Sequence, residues 1–118
     1  MKKSFFVYDT SKAFSIFMKY NFENSVEIKS CGYKKKFCID NPELYDAFFF
    51  IINSVEDFIL LKNSCGRLRN IFVSTPIKML EFKISHIADQ DLIMFDYAQT
   101  KVEVLREINS TLIDKKIL

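Results

Sequence analysis

Six apolar residues in unbroken succession, Ala47-Phe48-Phe49-Phe50-Ile51-Ile52, constrain this chain more than any other segment. The stretch is too short to cross a bilayer, which takes about 20 residues of helix. It must instead be buried inside a folded body. Its residue types favour a strand. Just upstream, however, Asn41-Pro42 is the best helix start in the sequence. Asn caps, and Pro lacks only an N–H that the first turn leaves unpaired anyway. Leu44, Phe48, Ile51 and Val55 then recur at helical spacing, with Tyr45, Phe49 and Ile52 beside them. The cap outweighs the propensity, so the pattern predicts a deeply buried helix from Asn41.

The rest of the chain supports one domain over residues 1–118. Hydrophobic residues make up 49% and charged residues 27%, with only two Gly and two Pro. That composition excludes a disordered or low-complexity segment. No repeat or Ser/Gly/Pro linker interrupts it. Lys3–Tyr8 reads as a strand, and Thr10 or Ser11 can cap a helix over 11–22 that carries Phe14, Phe17 and Met18 on one side. Ser25–Cys31 and Lys35–Asp40 alternate as strands about a turn at Gly32. Asp57–Lys62 and Arg67–Ser74 flank Asn63-Ser64-Cys65-Gly66 as a second hairpin. Met79–Ser85 alternates most cleanly, with Leu80, Phe82 and Ile84 inward, and Leu92–Tyr97 pairs with it. A capping box, Thr100-x-x-Glu103, opens a last helix with Leu105, Ile108 and Leu112 on its apolar side.

These elements predict an α+β domain: a mainly antiparallel sheet with about three helices packed on one face. The βαββαβ order of the first half resembles the split βαβ arrangement of ferredoxin-like domains. A β-rich extension and a C-terminal helix complete it.

Charge is uneven. The net value is +2, too small to imply a polyanionic partner. Residues 1–36 carry a local +5 and residues 37–62 a local −4. Lys2 and Lys3 precede an apolar run that stops at Asp9, so no secretory signal is read. Three cysteines without CxxC spacing point to reduced thiols in the cytoplasm. No membrane partner is expected. Lys outnumbers Arg fourteen to three, which fits an AT-rich coding sequence.

Catalytic constellations are thin. His86 stands alone, and in a strand Ser85 would point away from it. Cys31, Cys38 and Cys65 lack the paired spacing of structural zinc sites. Asp89, Asp91 and Asp96 lack the Gly and distal Glu of a calcium loop. Glu81-Phe82-Lys83 resembles the ExK half of restriction-type nuclease sites, in which carboxylates hold Mg²⁺ beside a lysine. Strand alternation would put Glu81 and Lys83 on one face, with Asp57 as a guessed third member. No glycine-rich phosphate cradle exists. The expectation is therefore no enzyme, no catalytic residue, no cofactor and no metal.

Two binding readings remain. The first is a small protein-binding inhibitor or adaptor, of the immunity-protein or phage anti-defence type. Its partner would be another protein, such as a nucleic-acid-handling or toxin component. Eighteen Phe and Tyr residues and the segregated charge motivate it. The second is an RNA or single-stranded nucleic-acid module using the hairpin 29–37. There Lys29, Lys34, Lys35 and Lys36 would meet phosphates while Tyr33 and Phe37 stack on bases. The element order resembles that of RNA-recognition domains, but their RNP1 pattern is absent.

Overall fold

A computed structural model describes residues 2–31, 41–87 and 92–118. Among them, five strands alternate with four helices: β1 (Lys3–Asp9), α1 (Ala13–Phe22), β2 (Val26–Cys31), β3 (Ala47–Ile51), α2 (Val55–Ser64), β4 (Ile71–Ser74), α3 (Lys78–Ser85), β5 (Leu92–Met94) and α4 (Lys101–Asp114). The sheet order is β2-β1-β3-β4-β5, and every neighbouring pair is parallel. This is the doubly wound order of flavodoxin-like folds.

The predicted antiparallel α+β architecture is thus overturned. A parallel sheet is covered on both faces, so its central strands are apolar on both sides rather than alternating. Ala47–Ile52 is such a strand and its exit, and each of its residues is fully buried. The register sets Phe49 beside Val7 on one flank and Phe72 on the other. Phe5, Val7, Phe49, Ile51 and Phe72 pack beneath Phe14 and Met18 of α1 and Val104, Ile108 and Leu112 of α4. The alternate residues Phe6, Tyr8, Phe48, Phe50 and Val73 pack beneath Leu61 of α2 and Leu80 and Ile84 of α3.

Three local expectations fail for identifiable reasons. Asn41-Pro42 starts only a single 3₁₀ turn, Pro42–Leu44. Asp46 then anchors the start of β3, its carboxylate accepting from Ser4 N at 2.9 Å and its N–H donating to Ser4 O at 2.7 Å. The expected hairpin over 57–74 is α2 followed by β4. Ser54 caps α2 by accepting from Asp57 N at 3.2 Å, and Glu56 and Asp57 suit the positive end of the helix dipole. Met79–Ser85 is helix α3, not a strand. Leu80 and Ile84, one turn apart, are buried, whereas Phe82 is exposed. The sites at β1, α1, β2 and α4 match expectation closely, but β5 pairs with β4 and not with a strand over 79–85. The predicted strand Lys35–Asp40 lies outside the described residues. No helix among the described residues is long and apolar enough to cross a membrane.

Candidate functional site

In open α/β sheets, ligands favour the crevice at the carboxyl edge where strand order reverses. Here that point lies between β1 and β3, under the turns Thr10–Lys12 and Ile52–Ser54. Asp9 ends β1 and is buried. Its Oδ1 accepts from Ser11 N (3.0 Å), Ser11 Oγ (2.8 Å) and Asn53 Nδ2 (2.8 Å). Its Oδ2 accepts from Phe14 N at 2.8 Å, in the first turn of α1. Lys12 adopts φ 66°, a left-handed conformation that costs a side-chain-bearing residue about 1–2 kcal/mol. Its N–H donates to Asp9 O at 3.0 Å, so Asp9 holds the turn from both ends.

A second carboxylate lies deeper. Asp57 is fully buried, accepting from Tyr8 Oη at 2.9 Å and Asn53 N at 2.9 Å. Asn53 therefore bridges the two acids, one through its amide side chain and one through its backbone. Burial first, then the hydrogen bond to Asp57, pushes the pKa of the Tyr8 phenol far upward. Burial, then the Asp9 charge, also raises that of Tyr97. At the end of β4, Thr75 Oγ1 donates to Ile52 O at 2.6 Å and accepts from Ile77 N at 3.1 Å, and Ser74 Oγ accepts from Tyr97 N at 3.3 Å. No buried side-chain polar atom among the described residues lacks a partner.

This crevice is poorly suited to a phosphate. The Phe14 N–H of α1 and the Ser11 N–H of the turn before it already bind the Asp9 carboxylate, and that charge repels a second anion. The sequence reading missed Asp9 and Asn53 as a pair, since nothing local links positions so far apart. Asp9 directly before Thr10-Ser11 and a helix was the visible signal on one side. Ser54-x-x-Asp57 was the other.

The other candidate residues disperse. Glu81 and Lys83 line different clefts on either side of α3, because residues two apart on a helix diverge. Glu81 instead shares an open cleft with Asp96, Lys78 and Glu107 at the ends of β4 and β5. Asp57 is committed to Tyr8, so the nuclease half-site does not assemble. In helix α3, Ser85 Oγ does come within 3.2 Å of His86 Nδ1, but the hydroxyl donates to Phe82 O at 2.7 Å. Cys65 is buried, which raises the pKa of its thiol, and Cys31 ends strand β2. No group of three His, Cys, Asp or Glu side chains able to hold a metal occurs among the described residues. Lys29 is exposed on β2, in a groove shared with Lys2 and Lys19 but also with Glu23 and Glu27. Tyr33, Lys34, Lys35, Lys36 and Phe37, like Cys38, Asp89 and Asp91, lie outside the described residues.

The outer helical surfaces differ from the satisfied crevice. Ile16 and Tyr20 of α1 and Val102 of α4 are 67%, 82% and 65% exposed. They line one groove of about 530 Å³, together with half-buried Phe17 and Leu105. On the opposite face of the sheet, Met79 and Phe82 of α3 are also exposed.

Neither a protein-family profile nor a curated protein matches this sequence. Among solved structures, the chain is similar to one from the crystal structure of adenylate cyclase from Rhodopirellula baltica. The TM-score is 0.63 at 11% identity, covering 98% of this chain and 95% of that one. At that identity the likeness establishes a shared fold. The expectation of no enzyme is corrected to this extent: the fold is shared with a protein titled as an enzyme, and the inhibitor, immunity and anti-defence classes find no support. The expectation rested on the absence of a convergent catalytic set and on an α+β body, whereas the body found here is α/β.

Proposed function

We propose that this chain is a protein-binding module that docks a helical segment of another protein on its α1–α4 surface. The observation that carries the reading is the groove lined by Ile16, Tyr20 and Val102. Contiguous exposed apolar area of this kind is costly in water and marks interaction sites in folded domains. A groove between two helices suits an amphipathic helix whose apolar residues fall at i, i+3, i+4 and i+7. The satisfied hydrogen bonds at the β1–β3 crevice support the same reading, because they leave the helical surfaces as the adaptable part of the molecule.

The test compares wild type with the Tyr20→Glu/Val102→Glu double variant, both nuclease-treated, in crosslinked capture from the source cell. Both substitutions are at exposed positions and should leave the fold intact. The reading expects a discrete protein retained by wild type and lost by the variant, then rebinding as a purified pair. Identical captures would overturn it. So would sedimentation showing that wild type self-associates through this groove while the variant stays monomeric.

A further inference from the structure

We infer that a second groove, between α2 and α3 on the opposite face of the sheet, receives an acidic amphipathic helix. The inference rests on the protein-binding reading and specifies a partner chemistry at a separate place. The groove has a volume of about 570 Å³ and is lined by Phe58, Lys62, Phe82, Lys83, His86 and Ile87. Among its described lining residues, charge is of one sign. The edge groove beside Lys29 mixes lysines with Glu23 and Glu27, and the carboxyl-edge cleft mixes Lys78 with three acids. Among the described residues, the lining pairs aromatic and aliphatic side chains with two lysines and an imidazole and contains no acidic residue.

The central aromatic is held in place. Phe82 is 68% exposed, yet its ring lies 4.3 Å from the His86 ring. His86 Nδ1 is 2.9 Å from Phe82 O. A carbonyl only accepts, so Nδ1 carries the hydrogen and Nε2 is directed elsewhere. An aromatic fixed before binding loses little freedom when a partner covers it.

Lys62 and Lys83 lie in the last turns of their helices, where the dipole favours cations. That accounts for their presence on each helix. It does not account for their sharing one groove with an exposed Phe. Apolar residues continue away from the cations: Val55 and Ile59 along α2, and Met79 along α3, are all exposed. A surface that is apolar at one end and cationic at the other complements a helix with an apolar stripe and acidic flanks. A nucleic acid would find one exposed phenylalanine, Phe82, but no use for exposed Val55, Ile59 and Met79.

The test uses three fluorescein-labelled, lactam-stapled peptides with one shared Leu/Phe stripe and polar faces of Glu, Gln or Lys. An oligo-dT strand serves as competitor. At low salt, anisotropy should show the Glu peptide binding about tenfold tighter than the Gln peptide, with the gap closing as salt shortens the Debye length. Phe82→Ala should weaken it several-fold. Lys62→Glu/Lys83→Glu should shift preference to the Lys peptide. Tyr20→Glu, on the other face, should leave it unchanged. Circular dichroism checks that each variant folds. Absent binding of the Glu peptide, equal affinity for all three, or indifference to Phe82→Ala and to the charge reversal would each overturn the inference. Displacement by oligo-dT at matched charge would also overturn it, in favour of a nucleic acid. None of these outcomes touches the α1–α4 reading, which fails only on its own capture experiment.

Discussion

The two faces of the sheet are built from the same strands but do not admit the same chemistry. Beneath α1 and α4 an apolar cluster, with Phe49 and Phe72 stacked at 4.6 Å and 17°, ends at the buried Asp9 carboxylate, which takes the Phe14 N–H of α1. Beneath α2 and α3, an equally dense set of rings also holds the buried Tyr8–Asp57 hydrogen bond. The difference lies in what each helix start provides. α1 begins after a turn whose donors are taken by Asp9. α2 begins beside Asn53, whose backbone N–H reaches Asp57. A buried carboxylate is tolerated where donors of fixed geometry already exist, and Asp9 and Asp57 meet that condition at the carboxyl edge.

Removing a ring should have the largest effect, and about equally on either face. Phe49→Ala and Phe50→Ala, both at fully buried positions, should each cost roughly 3–5 kcal/mol in urea unfolding. A much smaller loss for one would show that its face is loosely packed. Next comes Asp57→Ala, which strands the Tyr8 hydroxyl and the Asn53 N–H in the interior. It should cost roughly 2–4 kcal/mol, more than Asp46→Ala at the half-buried edge. Tyr8→Phe should be milder, at roughly 1–2 kcal/mol near neutral pH.

The Tyr8 variant also sharpens the comparison through pH. The folded phenol ionises far above the ordinary tyrosine value because of burial and Asp57. Its neutral form is the one the fold keeps. That contribution is fully present below the unfolded value of about 10 and is lost as pH rises above it, by about 1.4 kcal/mol per pH unit. Wild type should therefore lose stability above pH 10 more steeply than Tyr8→Phe, with Tyr97 supplying a residual slope of the same sign. Parallel curves would show that the pair is open to solvent. The smallest effect belongs to Thr100→Ala. Thr100 Oγ1 accepts from Glu103 N at 3.3 Å and donates to Glu103 Oε1 at 2.7 Å, so its loss should cost about 1 kcal/mol and fray α4 alone.

How legible the fold was in the sequence depended on which signals agreed. At α4 the capping box and the Leu105, Ile108, Leu112 spacing point the same way, and the helix is where the pattern puts it, with Val104 buried and Leu105 half-buried. At Ala47–Ile52 they conflict. The Asn-Pro cap is local, while the strand is decided by two flanking strands and two covering layers far away in sequence. Leu80, Phe82 and Ile84 fit both a strand and two turns of helix. Only the exposure of Phe82 and Met79 separates them, and exposure is a tertiary fact. The same limit hid the site. Asp9 and Asn53 become partners because β1 and β3 are neighbours, and no antiparallel arrangement of the predicted elements would have made them so.

The central place of β1 in the sheet also shapes how the chain is made. Its outer flank is met by β2 within the first 31 residues, but its inner flank waits for β3, which ends at Ile51. At about 5–20 residues per second, a ribosome leaves that flank bare for roughly 1–4 seconds after β2 is complete. During that interval Phe5, Phe6, Val7 and Tyr8 present half a sheet to the surrounding cell. Synthesis that pauses between the codons for Cys31 and Ala47 should be the moment at which this protein most needs a chaperone.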